Sequence, residues 1–493
     1  MPIESEHPDY ASAKAKWQTV RDAAAGEVAV KAAARRYLPQ NPNQTDDEYE
    51  SFKLRGSFLG ATGRTITALS GLIFRKAVVV EAPEAVKVLL EDITMGGESL
   101  EDLAKRMAIE LLTSNRLGLL VDFPTLPDGV QISNAAQAAA LGMRPYVSFY
   151  PAESIKNWDE ERINNVRQPT LIVLDESGLL KRSASDRFVR EQVERRRELR
   201  LDGGVYVQEV HENTASGWTS EGVVTPQANA KSFSYLPFVP VSGGKLSLDV
   251  VDPSTLPLAE KNLSHYRTRT QFKHGAHYTA LPTSIMTGFE KRKGPDGKPI
   301  DEVFPIGSSR MMLLPNKDTK VFFHEFKGDG LGTLERELDR EEREMALLGA
   351  HLMTPQKSGV EAVGTAEIRT AGETSVLAEI ATTISRALTK VAQILAEWVG
   401  ASGKVSVTVN KDFMPSSIEP QLFAQLLAAV QAGTISPQTF FWNLQQGELI
   451  QEGKTYEDEE AQIAASTPAL TLVAPTAPLV PDVAPAKKKT AEA

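Results

Sequence analysis

PLAEKNLSHYRTRTQFKHGAHY, residues 257–278, and LGTLERELDREEREMALLGAHL, residues 331–352, are two long helix patterns of unlike charge, and their place in the chain order decides the fold. In the first, proline suits the opening helical position, and Leu258, Ala259, Leu263, Tyr266 and Thr270 recur at three- and four-residue spacing. Lys261, Arg267, Arg269 and Lys273 stand against Glu260, so the pattern predicts a polar, basic surface, unlike a helix that fills a core. At ~1.5 Å per residue such a rod is roughly 30 Å long. The second is acidic: Glu335, Glu337, Asp339, Glu341, Glu342 and Glu344 outnumber Arg336, Arg340 and Arg343 around the apolar positions Leu334, Leu338, Met345, Leu348 and Leu352. Two packings satisfy the opposite signs: lateral contact with neighbouring copies, or a surface hairpin laced with its own ion pairs.

Between the two helices, residues 281–330 change to strand chemistry, with short β-branched, aromatic or apolar runs at 283–288, 310–314 and 320–326. Lys291, Arg292, Lys293 and Lys298 surround a Pro295-Asp296-Gly297 turn, which predicts a protruding basic tip; a merely solvated turn is the plainer alternative. After the second helix, residues 354–365 hold Pro355, Gly359 and Gly364 and read as an exposed loop. A third helix follows on Leu377, Ile380, Ile384, Leu388, Val391, Leu395 and Trp398, with Gly372 at a possible kink before it and Gly400 at its end.

Composition bounds the function. The 493 residues are 41% hydrophobic and 24% charged, ordinary for several soluble domains. Nothing approaches a transmembrane run, and the charged start has no signal-peptide core. Cysteine is absent, which removes disulfides, thiolate metal sites and thiol nucleophiles together. A net charge of -10 argues against a main surface that clings to DNA, while an acidic wall lets a polyanion slide past it, as a conduit requires.

Residues 1–38 predict a helical start with Trp17, Val20, Val28 and Val30, then a loop at 39–45. One helix is expected next, with Thr45 and Glu48 as a capping box and Tyr49, Phe52, Ile66, Leu69 and Ile73 as its apolar members. Residues 100–114 predict another helix and 117–123 a buried strand. From 146 to 241 the pattern is mostly β, with strands at 146–150, 171–175, 205–211 and 233–241. Residues 186–199, with Arg190, Arg195, Arg196 and Arg197, fit a charged helix or a ribbon, and read as a solvated face before a nucleic-acid patch. A strand at 404–410 and a helical segment at 418–450, broken at Gly433 and restarted at Ser436-Pro437, precede an Ala/Pro/Thr/Val-rich tail expected to be disordered.

No catalytic constellation stands out. Gly453-Lys454-Thr455 suggests a phosphate loop, but Glu448 occupies the position that needs glycine. Residues 60–65 are glycine-rich with Arg64 in place of lysine, and read as part of a helix. His274 and His277 lack the spacing and the intervening glutamate of a helical zinc pair, and no Gly-x-Ser-x-Gly elbow occurs.

Residues 37–39 (YLP), 58–76 (FLGATGRTITALSGLIFRK), 118–124 (GLLVDFP), 256–288 and 374–400, taken in order, resemble a tailed-bacteriophage portal protein of a family usually described only as a domain of unknown function. The resemblance implies an α+β portal fold with a wing, a long-helix stem, a β-rich clip, a tunnel loop and a helical crown. The wing would occupy 1–256, the first stem helix 257–280, the clip 281–330, the second stem helix 331–352 and the tunnel loop 353–365. A long kinked helix with the wing return would take 366–415, the crown 416–466 and a disordered tail 467–493.

The resemblance further implies a dodecameric ring at one capsid vertex, assembled in the host bacterial cytoplasm and carried in the virion. Its partners would be the terminase large subunit, a head-tail adaptor, the major capsid protein and double-stranded DNA passing without sequence specificity, with no membrane, no metal, no cofactor and no ATP hydrolysis of its own. Thr354, Gln356, Lys357 and Ser358 would face the channel; Lys291, Arg292, Lys293 and Lys298 would dock a partner; Arg267, Arg269 and Lys273 would meet Glu335, Glu337 and Glu341 in the stem. The rival readings are a DNA-processing enzyme with a dispersed active site and another virion part such as a tail connector.

Overall fold

The computed structural model describes residues 3–124, 141–182, 188–228, 231–280, 283–287, 295, 320–324, 328, 330–352, 376–413, 425–426, 429–430, 434–446, 450 and 454–466. The chain divides into two units, Met1–Phe413 and Met414–Ala493, and mixes helix with sheet in an α+β arrangement.

The first unit opens with α1 (Pro8–Ala25), where Pro8 takes the first helical position and Tyr10, Ala13, Trp17, Val20 and Ala23 line one buried face. Gly26, at φ 92°, turns the chain into α2 (Glu27–Ala32), which buries Val30 and leaves Val28 exposed. The single helix expected from 45 to 73 is instead two, α3 (Asp46–Arg55) and α4 (Ala61–Ile73). The capping box is present on α3: Glu48 N donates to Thr45 Oγ1 at 3.3 Å and Thr45 N donates to Glu48 Oε2 at 2.9 Å.

The cap of α4 comes from 200 residues further along the chain. Asn262 Oδ1 accepts from Thr62 N at 3.2 Å and from Thr62 Oγ1 at 3.0 Å, while Asn262 Nδ2 donates to Leu59 O at 2.6 Å. These bonds satisfy helix-end groups that no local side chain reaches.

Next come β1 (Val79–Glu81), α5 (Glu84–Leu90) and α6 (Leu100–Ser114), the last held by a Ser99/Asp102 capping box and closed by Asn115 in the left-handed region. The strand β2 (Arg116–Asp122) is buried throughout. It is the centre of a three-stranded antiparallel sheet, between β3 (Tyr146–Pro151) and β13 (Phe238–Ser242).

A second antiparallel sheet contains β4 (Ile155–Ile163), β5 (Val166–Asp175), β8 (Arg195–Asp202), β9 (Val205–Thr214) and β10 (Gly217–Val224), in the order β10-β9-β8-β5-β4. Small ribbons pair β6 (Gly178–Arg182) with β7 (Arg190–Val193) and β11 (Gln227–Ala228) with β12 (Lys231–Ser232). Among the described residues of 186–199 there is no helix: 190–193 lie in a two-stranded ribbon and 195–199 in the five-stranded sheet. Nor is β8 simply a solvated face: Arg195 pairs with Glu221, Arg196 with Asp175 and Arg197 with Asp122 and Glu176.

The first long helix of the decisive stretch is α7 (Leu256–Ala280). Its reading as a polar rod outside the core is corrected: Ala259, Leu263 and Tyr266 join the main hydrophobic cluster, and Asn262, His265 and Thr270 are 0% exposed beside them. Sequence periodicity missed this because polar side chains complete the buried face: Thr270 Oγ1 donates to Tyr266 O at 2.7 Å, and Asn262 bonds the start of α4. The strand expectations at 283–288 and 320–326 are realised in part as β14 (Thr283–Thr287) and β15 (Lys320–His324), an antiparallel ribbon with Thr283 opposite His324. The run at 310–314 lies outside the described residues.

The chain returns through α8 (Leu331–His351) and then forms α9 (Val376–Val399), where all seven residues of the expected apolar stripe are buried. Gly400, at φ 66°, ends α9: its N–H bonds Glu397 O at 3.2 Å, and Ala401 N bonds Ala396 O at 2.9 Å, a Schellman closure. Finally β16 (Ser406–Thr408) pairs antiparallel with β1.

The second unit contains α10 (Pro437–Gln446) and α11 (Tyr456–Ser466). Ser436 Oγ accepts from Thr439 N at 3.1 Å, the expected cap. Thr455, the last residue of the phosphate-loop look-alike, caps α11: its Oγ1 accepts from Asp458 N at 3.1 Å and its N–H donates to Asp458 Oδ2 at 3.1 Å. The expected disordered tail lies outside the described residues.

Candidate functional site

Helices α7 and α8 form an antiparallel hairpin closed at one end by the β14–β15 ribbon. Lys261 Nζ meets Glu344 Oε2 at 2.7 Å, His265 Nε2 lies 3.3 Å from Glu342 Oε1, and a Cβ on Gly275 would come within 2.9 Å of Leu331. On α8 the seam Leu334, Leu338, Glu341, Met345, Leu348, Leu352 alternates four- and three-residue steps, as a helix facing a partner helix does. Glu341 sits in that seam at 2% exposure with Oε2 unpartnered among the described residues, and Leu352 joins the main core.

His265 is the buried residue of α7 nearest these carboxylates. Its approach to Glu342 is close but off the direction a hydrogen bond needs, so neither ring nitrogen is satisfied among the described residues. Desolvation pushes its pKa below the ordinary value; Glu342 and Glu341 oppose the shift and Arg269 adds to it. A depressed folded pKa means that the unfolded chain takes the proton first. The stability tied to neutral His265 is therefore present above its unfolded pKa of about 6.5 and is lost as pH falls. His265→Gln should flatten the dependence of Tm on pH between about pH 7 and 5. A slope identical to that of the wild type would contradict this account of the pair.

Of the stem residues expected from the sequence, Arg267, Arg269 and Lys273 are half-buried on α7, Glu335 is exposed, and Glu337 lies 3.6 Å from Arg340 on its own helix. Among the described residues, the cross-hairpin contacts to carboxylates are those of Lys261 and His265. The signal that could have found them is their four-residue spacing, which stacks both on one face of α7. Thr354, Gln356, Lys357 and Ser358, and Lys291, Arg292, Lys293 and Lys298, lie outside the described residues.

Two polar clusters in the sheets also bear on chemistry. Arg197 donates to Glu176 Oε1 from Nε at 2.8 Å and from Nη1 to Asp122 Oδ2 at 3.1 Å, and Tyr150 OH donates to Glu176 at 2.6 Å. Burial raises the Asp122 pKa against the pull of Arg197; burial also works against the Arg197 charge, but Glu176 and Asp122 overcome it and hold its pKa above the usual value. Every strong group here has a partner, as in a structural lock. Glu198, Glu209 and His211 lie near enough together to bind a cation. The Arg200 guanidinium already spans both carboxylates, at 3.3 Å from Glu198 and 2.8 Å from Glu209. This grouping escaped the sequence reading because Glu198 comes from the neighbouring strand, opposite Glu209. The Glu209-x-His211 alternation was its one local sign.

A family described as Domain of unknown function (DUF4055) matches residues 255–399, which span α7 through α9. No curated protein matches the chain. Among solved structures, a chain from the "neck of empty GTA particle" is similar at 13% identity over 83% of this chain and 91% of that one, with a TM-score of 0.39. A chain from the "virion of native gene transfer agent (GTA) particle" is similar at 13% identity over 84% of this chain and 97% of that one, with a TM-score of 0.37. Among the described residues, no helix is long and apolar enough to cross a membrane.

Proposed function

We propose that the chain is the subunit of a portal ring, a dodecamer at one capsid vertex through which double-stranded DNA is packaged and ejected. The observation that carries the reading is the succession of α7, the β14–β15 ribbon, α8 and the buried α9. A two-helix stem rooted in the core and capped by a β element is followed in the chain by a long helix buried in the same core. It joins the sequence resemblance, whose segments follow the same order. In this reading the ribbon region is the clip where the terminase large subunit and then the head-tail adaptor dock, the major capsid protein surrounds the wing, and residues 353–365 face the DNA.

Such a subunit transports nothing alone; its function appears only when copies close around an axis. Electron microscopy of the purified protein is therefore the test. Closed rings with a central channel are expected, without ATP turnover in the presence or absence of DNA. Isolated monomers that hydrolyse ATP when DNA is added would favour a DNA-processing enzyme instead.

A further inference from the structure

The outward half of α8 carries two charge rows of opposite sign. Glu335, Asp339 and Glu342 are spaced i, i+4, i+7, and Arg336, Arg340 and Arg343 repeat that spacing one residue later; all six are exposed. One residue on a helix is a rotation of about 100°, so the rows lie on adjacent faces at the same height. Within the chain the arginines are engaged along their own helix. Arg336 Nε donates to Gly332 O at 3.1 Å, Arg343 Nε to Asp339 O at 3.0 Å, and Arg340 Nε to Glu344 Oε1 at 3.0 Å. The carboxylates of Glu335 and Asp339 enter none of these bonds. Toward the C-terminal end the same half of the helix becomes apolar, with Ala346 and Ala350 exposed and Leu347 60% exposed.

We propose that this half of α8 is a junction between parallel copies of the chain, the acidic row of one lying against the basic row of the next. The charge complementarity names the occupant: each copy presents both members of the pair. In a parallel neighbour the four-then-three spacing of one row meets the same spacing in the other. In an antiparallel neighbour the middle pair is displaced by one residue, about 1.5 Å. Leu347, next to the rows, gives the junction apolar area to bury. Ion pairs at such a surface set register and suppress wrong partners more than they add affinity, so the rows align the stem while other contacts hold the ring.

The inference deepens the ring reading and rests on it. Two variants test it at positions clear of the Lys261 and His265 contacts: Glu335→Arg with Asp339→Arg, and Arg336→Glu with Arg343→Glu. Each alone should assemble at least about tenfold less well than wild type at low salt, because like charges then face each other at every junction. The loss should ease near 1 M salt, where the screening length is about 3 Å. Mixed in equal amounts, the two variants should form rings again, since in an alternating ring every junction pairs opposite charges. Misfolded chains could not rescue one another in this way. Wild-type rings with fully assembling variants, or a mixture no better than either variant alone, would overturn the junction and leave the ring reading standing. A wild-type dimer abolished by either variant and restored by mixing would keep the junction and overturn the ring. A wild-type monomer would overturn both.

Discussion

Replacing Arg197 with methionine should cost about 3–5 kcal/mol of stability, the scale for breaking a buried ion pair from one side. The guanidinium holds Glu176 through two nitrogens and Asp122 through a third contact, and Asp122 is 4% exposed. Removing it strands a buried carboxylate beside Tyr150 and Gln208 rather than merely losing an attraction. The measurement is the urea midpoint with its slope; a loss below about 1 kcal/mol would mean that water reaches the cluster. Adding Asp122→Asn and Glu176→Gln to the variant should recover part of the loss, because the stranded charges go with the guanidinium.

Gly63→Ala is expected to destabilise even though alanine is the better helix former. The propensity gain is at most about 1 kcal/mol, against an overpacking cost of about 1–3 kcal/mol. The cost governs here because a Cβ at Gly63 would lie 2.4 Å from the backbone oxygen of Ala24, which no side-chain rotation can clear. A lowered Tm supports the close approach of α1 and α4; an unchanged or raised Tm contradicts it. The same contact accounts for Gly63 without any phosphate, as a place where two helix backbones meet.

The parts of this fold legible in the sequence are those whose signals are local. Thr45 with Glu48, Ser436 with Pro437, Gly400 and the apolar stripe of α9 each act within a turn or along one face, and each is found where the spacing puts it. What escaped depends on distant partners. The start of α4 is fixed by Asn262, so the sequence near Gly60 reads as uninterrupted helix. Strands β4 and β8 are rich in charge and lack apolar alternation, yet they are stabilised by pairing: Arg167 meets Glu160 across β4–β5, and Arg200 meets Glu209 across β8–β9.

The hairpin shows the same division. Its two helices and the sign of their charges were readable, whereas the depth to which α7 is buried was not, because Asn262, His265 and Thr270 supply polar side chains to a core-facing surface. Opposite charges fitted contact within a hairpin or with a neighbouring copy. They could not specify that Lys261 and His265 make it, since register is set by how Tyr266 and Leu263 seat in the core.

If the chain works as a closed ring, as proposed, native mass spectrometry of the purified protein over a range of salt concentrations should show it. A single dominant particle of twelve chains is expected, persisting as salt rises because the screened stem pairs align the ring while other contacts hold it. A monomer at every salt concentration would contradict it.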